Sequence, residues 1–417
     1  MKRAYRAKTM KMNKWTVGLA AAGVVSLAST AQAEENSVLT ALSSTVISGN
    51  VEASYVGGFS TNNNLYSDGA FQANGASLSI SSPLGEGDYS AGYNVELLLG
   101  ERASAFSGYS RGGMNAEAQP VDADNFLVKN ANIGLNVPFG NGVDLTVGLF
   151  DTIVGYEVEA SGANPNVMRS YGYQIEPFTH TGVLASTSLT DGVSVHLGLT
   201  NGFDSTGGTH NDNLDAHAQL GYLAALDLTA PDSLGFLGGS TAYIGFVGGN
   251  NEGNQNKENV NGTWNNFKNG DDDELFYVGL SLNTPIENLS LGLAYDDRQY
   301  ADDSVGSLSE ADAVGLYAVY QLSDSLSIAA RYDTVNLDVE GGGEDNVEMA
   351  TLTLDYQVWE NVLTRLEFGW ESGAGPIGTA GSDSIGRLAD SNRSEDGTRT
   401  SAINDSSYFA LNFFYQF

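Results

Sequence analysis

From Phe409 to the terminal Phe417 every second residue is large and apolar: Phe409, Leu411, Phe413, Tyr415 and Phe417. Ala410, Asn412 and Gln416 between them are small or polar, and Phe414 is the one break. Successive side chains of a β-strand point to opposite faces, so one face here meets an apolar medium and the other a wetter one. Left at the edge of an open sheet, such a strand invites aggregation. A closed transmembrane barrel removes the edge, because the last strand pairs with the first and the aromatic face meets lipid. The ending therefore points to a membrane sheet whose edges join.

The front of the chain agrees. Lys2, Arg3, Arg6, Lys8, Lys11 and Lys14 precede a short apolar stretch, Trp15 to Leu27, and Ala31-Gln32-Ala33 supplies the small residues of a cleavage site. The apolar stretch falls short of the roughly 20 residues that a bilayer-spanning helix needs. Residues 1–33 are therefore expected to be a secretory signal peptide, rather than a short membrane anchor. A short periplasmic segment, 34–43, and one barrel over 44–417 should follow.

The chain carries 18 basic and 51 acidic residues. Six of the basic ones and none of the acidic ones lie in the leader, so the remainder holds 12 against 51, a net of −39. That charge argues against nucleic acid and against adhesion to anionic lipid. The absence of Cys excludes disulfides, thiolate metal sites and Cys nucleophiles. No linker or shift of composition divides the chain.

Alternating or apolar segments recur near 44–59, 74–84, 88–100, 125–137, 143–150, 178–190, 193–203 and 216–229. They continue near 240–249, 274–284, 289–300, 311–322, 326–336, 346–358, 362–371 and 405–417. That is about sixteen, the even number expected of a bacterial single-chain barrel. The connections alternate in length. Short turns such as Thr190-Asp191-Gly192 and Ser323-Asp324-Ser325 interleave with long polar stretches at 60–73, 101–124, 151–177, 204–215, 250–273, 301–310, 337–345 and 372–404. Short periplasmic turns and long external loops make this pattern, and it predicts an all-β transmembrane antiparallel β-barrel.

Parity then assigns faces. Leu289, Leu291, Leu293 and Tyr295 oppose Ser290, Gly292, Ala294, Asp296 and Arg298. Leu326, Ile328, Ala330 and Tyr332 oppose Ser327, Ala329, Arg331 and Asp333, and Leu366, Phe368 and Trp370 oppose Arg365, Glu367 and Glu371. A cation facing lipid at mid-bilayer costs roughly 2–4 kcal/mol, whereas one facing an aqueous lumen is cheap. Phe203, Tyr295, Tyr332 and Trp370 toward the loops, and Tyr320, Tyr356, Tyr415 and Phe417 toward the turns, suit two interfacial girdles. About sixteen strands leave a water-filled lumen.

The ending resembles the C-terminal strand of outer-membrane β-barrels, which implies that Tyr415 and Phe417 serve as an insertion signal for the barrel-assembly machinery. A second resemblance is carried by Gly148-Leu149-Phe150-Asp151-Thr152, Gly155-Tyr156-Glu157, Asn164-Pro165-Asn166 and Glu176-Pro177-Phe178-Thr179-His180-Thr181-Gly182, with Leu199-Thr200-Asn201-Gly202-Phe203-Asp204 downstream. Together these resemble the bacterial β-barrel porin 2 family, diffusely over 44–417 and specifically over 125–204. The resemblance implies a porin in a Gram-negative-type outer membrane. It would pass ions and small hydrophilic solutes by diffusion, without a cofactor.

By count, 151–177 is the third external loop. In general porins, which the chain resembles in strand number, that loop folds into the lumen and sets the constriction. It would bring Glu157, Glu159 and Arg169 into the pore, opposite Arg298, Arg331 and Arg365 of like inward parity. Acidic loop against basic wall would be a transverse field that screens solutes. Alternatively the loop packs outside and the arginines pair locally with Asp296, Asp333 and Glu367. The acidic excess suggests cation preference, although much of it lies in loops such as Asp271-Asp272-Asp273-Glu274, where it could keep the surface solvated or hold divalent cations weakly. A homotrimer is expected by analogy with general porins.

Catalytic signals are poor. Gly108-Tyr109-Ser110-Arg111-Gly112 has the letters of a nucleophile elbow without its strand–turn–helix setting. His180, His196, His210 and His217 lack the helical pairing of zinc enzymes. Asn211 to Asp215 and Asp390 to Gly397 lack the EF-hand's Gly and Glu positions. Two alternatives remain open. A substrate-selective uptake channel, for sugars for example, would need an aromatic file, and inward-parity Tyr243, Tyr277 and Tyr317 read as scattered. A plugged structural or adhesive barrel would use its loops as binding surfaces.

Overall fold

The protein is described from a computed structural model, which covers residues 44–58, 69–85, 88–103, 125–204, 220–249, 259–260, 263–264, 273–300, 308–340, 343–373 and 406–417. In chain order the strands begin β1 (Val46–Gly58), β2 (Ala70–Ser82), β3 (Ala91–Leu99), β4 (Phe126–Val137), β5 (Val143–Asp151) and β6 (Thr179–Thr190). Then come β7 (Val193–Thr200), β8 (Gly221–Thr229), β9 (Thr241–Gly249), the small hairpin β10 (Asn259–Val260) and β11 (Thr263–Trp264), and β12 (Asp273–Asn283). The last six are β13 (Leu289–Gln299), β14 (Leu308–Ser323), β15 (Leu326–Val339), β16 (Gly343–Trp359), β17 (Val362–Gly373) and β18 (Ser406–Gln416). One helix, α1 (Tyr171–Ile175), lies between β5 and β6.

All strands but β10 and β11 form one closed antiparallel barrel in which chain neighbours pair. Closure comes from β1 against β18, running from Asn50 opposite Gln416 to Gly58 opposite Tyr408. That seam answers the edge problem posed by the aromatic final strand. Sixteen strands form the ring, and no helix of the described residues is long and apolar enough to cross a membrane.

Alternation sets the two faces. On β17, Leu366 and Phe368 are exposed outside, whereas Arg365, Glu367 and Glu371 are buried inside. On β13, Asp296 and Arg298 are buried and Leu291 is exposed. An 11-residue strand such as β13, at ~3.3 Å per residue and tilted by ~40°, spans roughly 28 Å. That matches the apolar band about 25 Å tall on such barrels. Tyr320, Tyr356, Tyr415 and Phe417 are exposed at the turn end, and Tyr332 at the loop end.

Three expectations need correction. β2 starts at Ala70 rather than near 74. Its alternation changes phase at a register shift against Glu52/Ser54, where Gly75 has φ +126. A β-bulge of this kind hides the strand from a period-2 reading. The polar stretch 337–345 is largely strand, with β15 running to Val339 and β16 starting at Gly343. Backbone pairing continues there beyond the apolar band, so the side chains no longer alternate. Phe203 does not join the girdle. It is fully buried among inward-facing residues, and the Arg298 guanidinium lies 4.5 Å above its ring.

Candidate functional site

The connection between β5 and β6 decides what the interior is. Connections normally run over the surface in water, yet no residue from Thr152 to Phe178 is exposed. Its outgoing limb packs Ile153, Val154 and Tyr156 against inward residues of the β6–β14 wall, including Leu223, Val247, Leu275 and Tyr317. The Tyr156 ring stacks on Tyr317 with centroids 4.1 Å apart. Gly292 makes room for it, since any Cβ there would overlap the Tyr156 hydroxyl. The far bend is a 3-10 turn, Ser161–Ala163. There Ser161 donates to Glu52 of β1 at 2.5 Å, and Gly162 lies beneath the Phe414 ring.

The return limb carries α1, whose N-terminus is capped by the Ser170 hydroxyl accepting from the Tyr173 N–H at 3.2 Å. Met168, Tyr171 and Ile175 cover an apolar inner patch formed by Val335 and Leu337 of β15, Val347 and Met349 of β16, and Ala311 and Ala313 of β14. Each Val, Leu, Ile or Met side chain so removed from water contributes roughly 1.5–3 kcal/mol. Tyr173 and Phe178 pack on Leu98, Leu127 and Ala103, so the root of the second loop meets the end of the third.

An irregular segment inside a barrel must find partners for its backbone groups. Here the wall supplies them. Carbonyls go to arginines on alternate strands. Arg298 of β13 donates to Ile175 O (2.8 Å). Arg331 of β15 donates to Met168 O (2.5 Å) and Arg169 O (3.1 Å). Arg365 of β17 donates to Ser161 O and Asn164 O, both at 2.8 Å. The N–H groups go to carboxylates: Val167 and Met168 donate to Glu367 (2.6 and 3.0 Å), and Tyr171 to Asp333 (2.9 Å). The Tyr171 hydroxyl donates to Glu371 at 2.9 Å.

Of the six charged residues singled out in the sequence, Glu157 and Arg331 form an ion pair with each other, Arg298 and Arg365 reach loop carbonyls, and the Glu159 and Arg169 side chains make their contacts elsewhere. Glu157 pairs with Arg331 at 3.0 Å, and neither side chain has any exposure. Arg331 also pairs with Asp333 at 2.7 Å, Arg298 with Asp273 at 2.7 Å and Arg365 with Asp355 at 2.8 Å. Of the local partners weighed for the arginines, Asp333 alone is one. Glu367 holds loop N–H groups instead, and Asp296 meets Glu176 of the loop. Burial, then the adjoining Asp296, pushes the Glu176 carboxyl well above the usual carboxylate range.

Glu159 lies on another side of the loop. Arg102, from the root of the second loop, holds it through two hydrogen bonds of 2.7 and 2.5 Å and also donates to Asn50. Burial raises the Glu159 carboxyl, but Arg102, with Lys129 and Arg169 beyond it, outweighs burial and holds it below the usual range. Arg169 donates to Val167 O (3.0 Å) and to Glu159 O, and its guanidinium carbon lies 5.3 Å from the Tyr173 ring centroid. Beside this cluster, Lys129 of β4 bridges Glu96 and Asp151.

The residues missed from sequence are Arg102, Lys129 and Glu96; Asp333 and Glu367 are expected there as partners for the arginines, not as acceptors of loop N–H groups. A signal for the landing site was present. The inward parity of β15 runs Ser327, Ala329, Arg331 and Asp333, then turns apolar at Val335 and Leu337, and a watery lumen gives no reason for that.

Two of the three inward tyrosines are neighbours, and the third meets the loop. Tyr243 and Tyr277 lie 6.1 Å apart, His196 lies 6.3 Å from Tyr243, and Tyr156 stacks on Tyr317. Tyr277 and Tyr317 are buried beneath the loop, so their faces do not line a solute path. His180 is buried against the Thr152 hydroxyl (3.0 Å), and His196 against that of Ser186 (2.8 Å). The Gly108–Gly112 motif, His210, His217, 211–215 and 390–397 lie outside the described residues. Among the described residues the carboxylates of Asp297, Glu310 and Asp312 approach within 4.8 Å of one another, with Tyr295 donating to Asp312 at 2.9 Å.

Known proteins share this architecture at low identity. OmpF of Salmonella typhi, in a complex with daunomycin, is 16% identical over 89% of this chain and 97% of its own, with a TM-score of 0.54. The trimer form of in-vitro folded OmpT of Vibrio cholerae is 13% identical over 89% and 99%, with a TM-score of 0.55. An anion-selective porin of Comamonas acidovorans is 12% identical over 90% and 99%, with a TM-score of 0.53. No curated protein matches the chain. Residues 44–417 match the family described as "Putative beta-barrel porin-2, OmpL-like", and the chain belongs to that family of outer-membrane β-barrel porins.

Proposed function

We propose that the protein is a passive channel for ions and small hydrophilic solutes, in which residues 152–178 set the constriction. One observation carries this: an irregular segment with no exposed residue is held to the inner wall through its own backbone groups. On this reading Glu157, Arg298, Arg331 and Arg365 hold the constriction in place, while Glu159 and Arg169 belong to its lumenal side. A loop docked in this way narrows the lumen without an energy source, and the filter is size together with the charge left facing water.

The channel prefers cations. A neighbour described as anion-selective shares the fold, so the fold does not set the sign. The acidic excess of this chain supports it. Residues 1–33 are removed as a secretory leader, 34–43 stay periplasmic, and the barrel enters the outer membrane through the assembly machinery with Tyr415 and Phe417 as its signal. It assembles as a homotrimer, a form that one structural neighbour takes.

The test is single-channel recording of refolded protein in planar bilayers, with reversal potentials under a salt gradient. Ohmic steps with a cation-sign reversal potential are expected. A folded, heat-modifiable barrel that passes no current would overturn the channel, and a reversal potential of anion sign would overturn the preference.

A further inference from the structure

Lys129 sits at an irregularity in the β3–β4 ladder. Glu96 pairs with Asn130 and Leu97 with Val128, which leaves Lys129 as the extra residue between them. Two residues of β4 thus oppose Glu96, and both, Lys129 and Asn130, are buried on the inner side. The Lys129 Nζ lies 3.1 Å from Glu96 Oε2 and 2.7 Å from Asp151 Oδ1. The Asn130 amide donates to the same two carboxylates, at 3.0 Å to Glu96 and 3.2 Å to Asp151.

This cluster differs from the ion pairs that hold the loop. The Glu157, Arg331 and Asp333 side chains are at most 1% exposed, whereas Glu96 is 19% and Asp151 51% exposed. Asp151 is the last residue of β5, where the loop begins, and Glu96 shares the inner face of β3 with Asn94 and Leu98. Two carboxylates thus converge on one point beside solvent, and that point is filled by a cation of the chain itself. Glu159 adds a third negative charge acting on the same ammonium.

We propose that Lys129 is a specificity-determining residue of the channel. It is a tethered counter-ion that occupies a two-carboxylate cation position at the root of the constriction loop and so limits how strongly the pore favours cations. The proposal rests on the channel reading above. With Lys129 in place the trio carries one net negative charge. Without it the two carboxylates carry two, on oxygens already gathered within reach of a single cation. Rings of acidic side chains favour cations, and hard divalent ions prefer such oxygen sets.

The experiment compares wild type with Lys129→Gln, Lys129→Arg and Asp151→Asn by reversal potential in a potassium chloride gradient, with millimolar calcium chloride then added. The K129Q variant should raise the cation-to-anion permeability ratio several-fold and should lose potassium current on calcium addition, which wild type should not. K129R should behave as wild type, and D151N should shift the ratio toward anions. If K129Q does not give a heat-modifiable barrel, D151N and K129R still decide, because Asp151 is half exposed at a strand end. Wild-type steps with unchanged reversal potentials in K129Q, or in D151N where K129Q does not fold, would overturn the role of Lys129 and leave the channel standing. Absence of current in wild type would overturn both.

Discussion

Arg331→Met should release the return limb of the constriction loop while leaving the barrel closed. The Arg331 guanidinium touches Glu157 (3.0 Å), Asp333 (2.7 Å), Met168 O (2.5 Å) and Arg169 O (3.1 Å). Its removal strands two carboxylates that have at most 1% exposure and two loop carbonyls. Removing one partner of a buried ion pair costs about 3–5 kcal/mol, most of it from the charge left behind. The strand ladders do not pass through this contact, so the loss falls on loop docking rather than on barrel stability. At about 1.4 kcal/mol per tenfold, the open population should rise roughly a hundred- to several-thousand-fold.

Limited proteolysis of the folded protein reads that population, since cleavage tracks it when opening is fast relative to cutting. Cuts within 152–178 should accelerate in R331M while the heat-modifiable shift of the barrel persists. Glu157→Gln should cost less, because an amide still accepts from Arg331 and Asp333 still balances the guanidinium. The double variant should show coupling rather than additivity, as residues in contact do. Cleavage of R331M at the wild-type rate, or strict additivity, would refute the claim that this pair holds the loop.

Two further outcomes follow from the same contacts. Gly292→Ala should displace the Tyr156 ring from Tyr317, and open-channel noise should increase with little change in the urea midpoint of the barrel. The loop should also respond to pH from both sides. The Glu176 carboxyl is raised by burial and by Asp296, so its contribution is complete below its ordinary value of 4.5 and is lost as pH rises through its folded value. Glu159 is depressed by Arg102, so its contribution is present above 4.5 and is lost as pH falls through its folded value. Loop cleavage should be slowest between the two, and Glu176→Gln should flatten the alkaline limb alone. An unchanged alkaline limb in that variant would show that the Glu176–Asp296 contact does not couple to docking.

Much of the barrel was legible because lipid and water on opposite faces force a period of two. The alternation of Leu289 to Arg298, or of Leu326 to Asp333, states directly which side chains face inward. It failed where a local event broke the period. Gly75 shifts the phase of β2 and Lys129 bulges out of β4, and both positions look irregular in one dimension although the ladder absorbs them in three. It failed again at 337–345, where the hairpin leaves the apolar band and its residues no longer report a face.

The candidate site was legible in its members but not in their partners. Parity placed Arg298, Arg331 and Arg365 on one inner wall, and the loop count placed Glu157 near them, whereas Glu159, expected beside them, pairs with Arg102 instead. Nothing in one dimension says that those arginines end on Ile175, Met168, Arg169, Ser161 and Asn164 carbonyls, because a loop has no periodicity from which to read its path. Sequence alone determined the closed sheet, its lipid and inner faces and its acidic excess, since each follows from composition or from a repeat of two along a strand. Tertiary structure alone decided that 152–178 lies against the inner wall and which charges remain beside water. Those depend on residues far apart in the chain, Glu157 with Arg331 and Met168 with Glu367, which come together only once the barrel has closed.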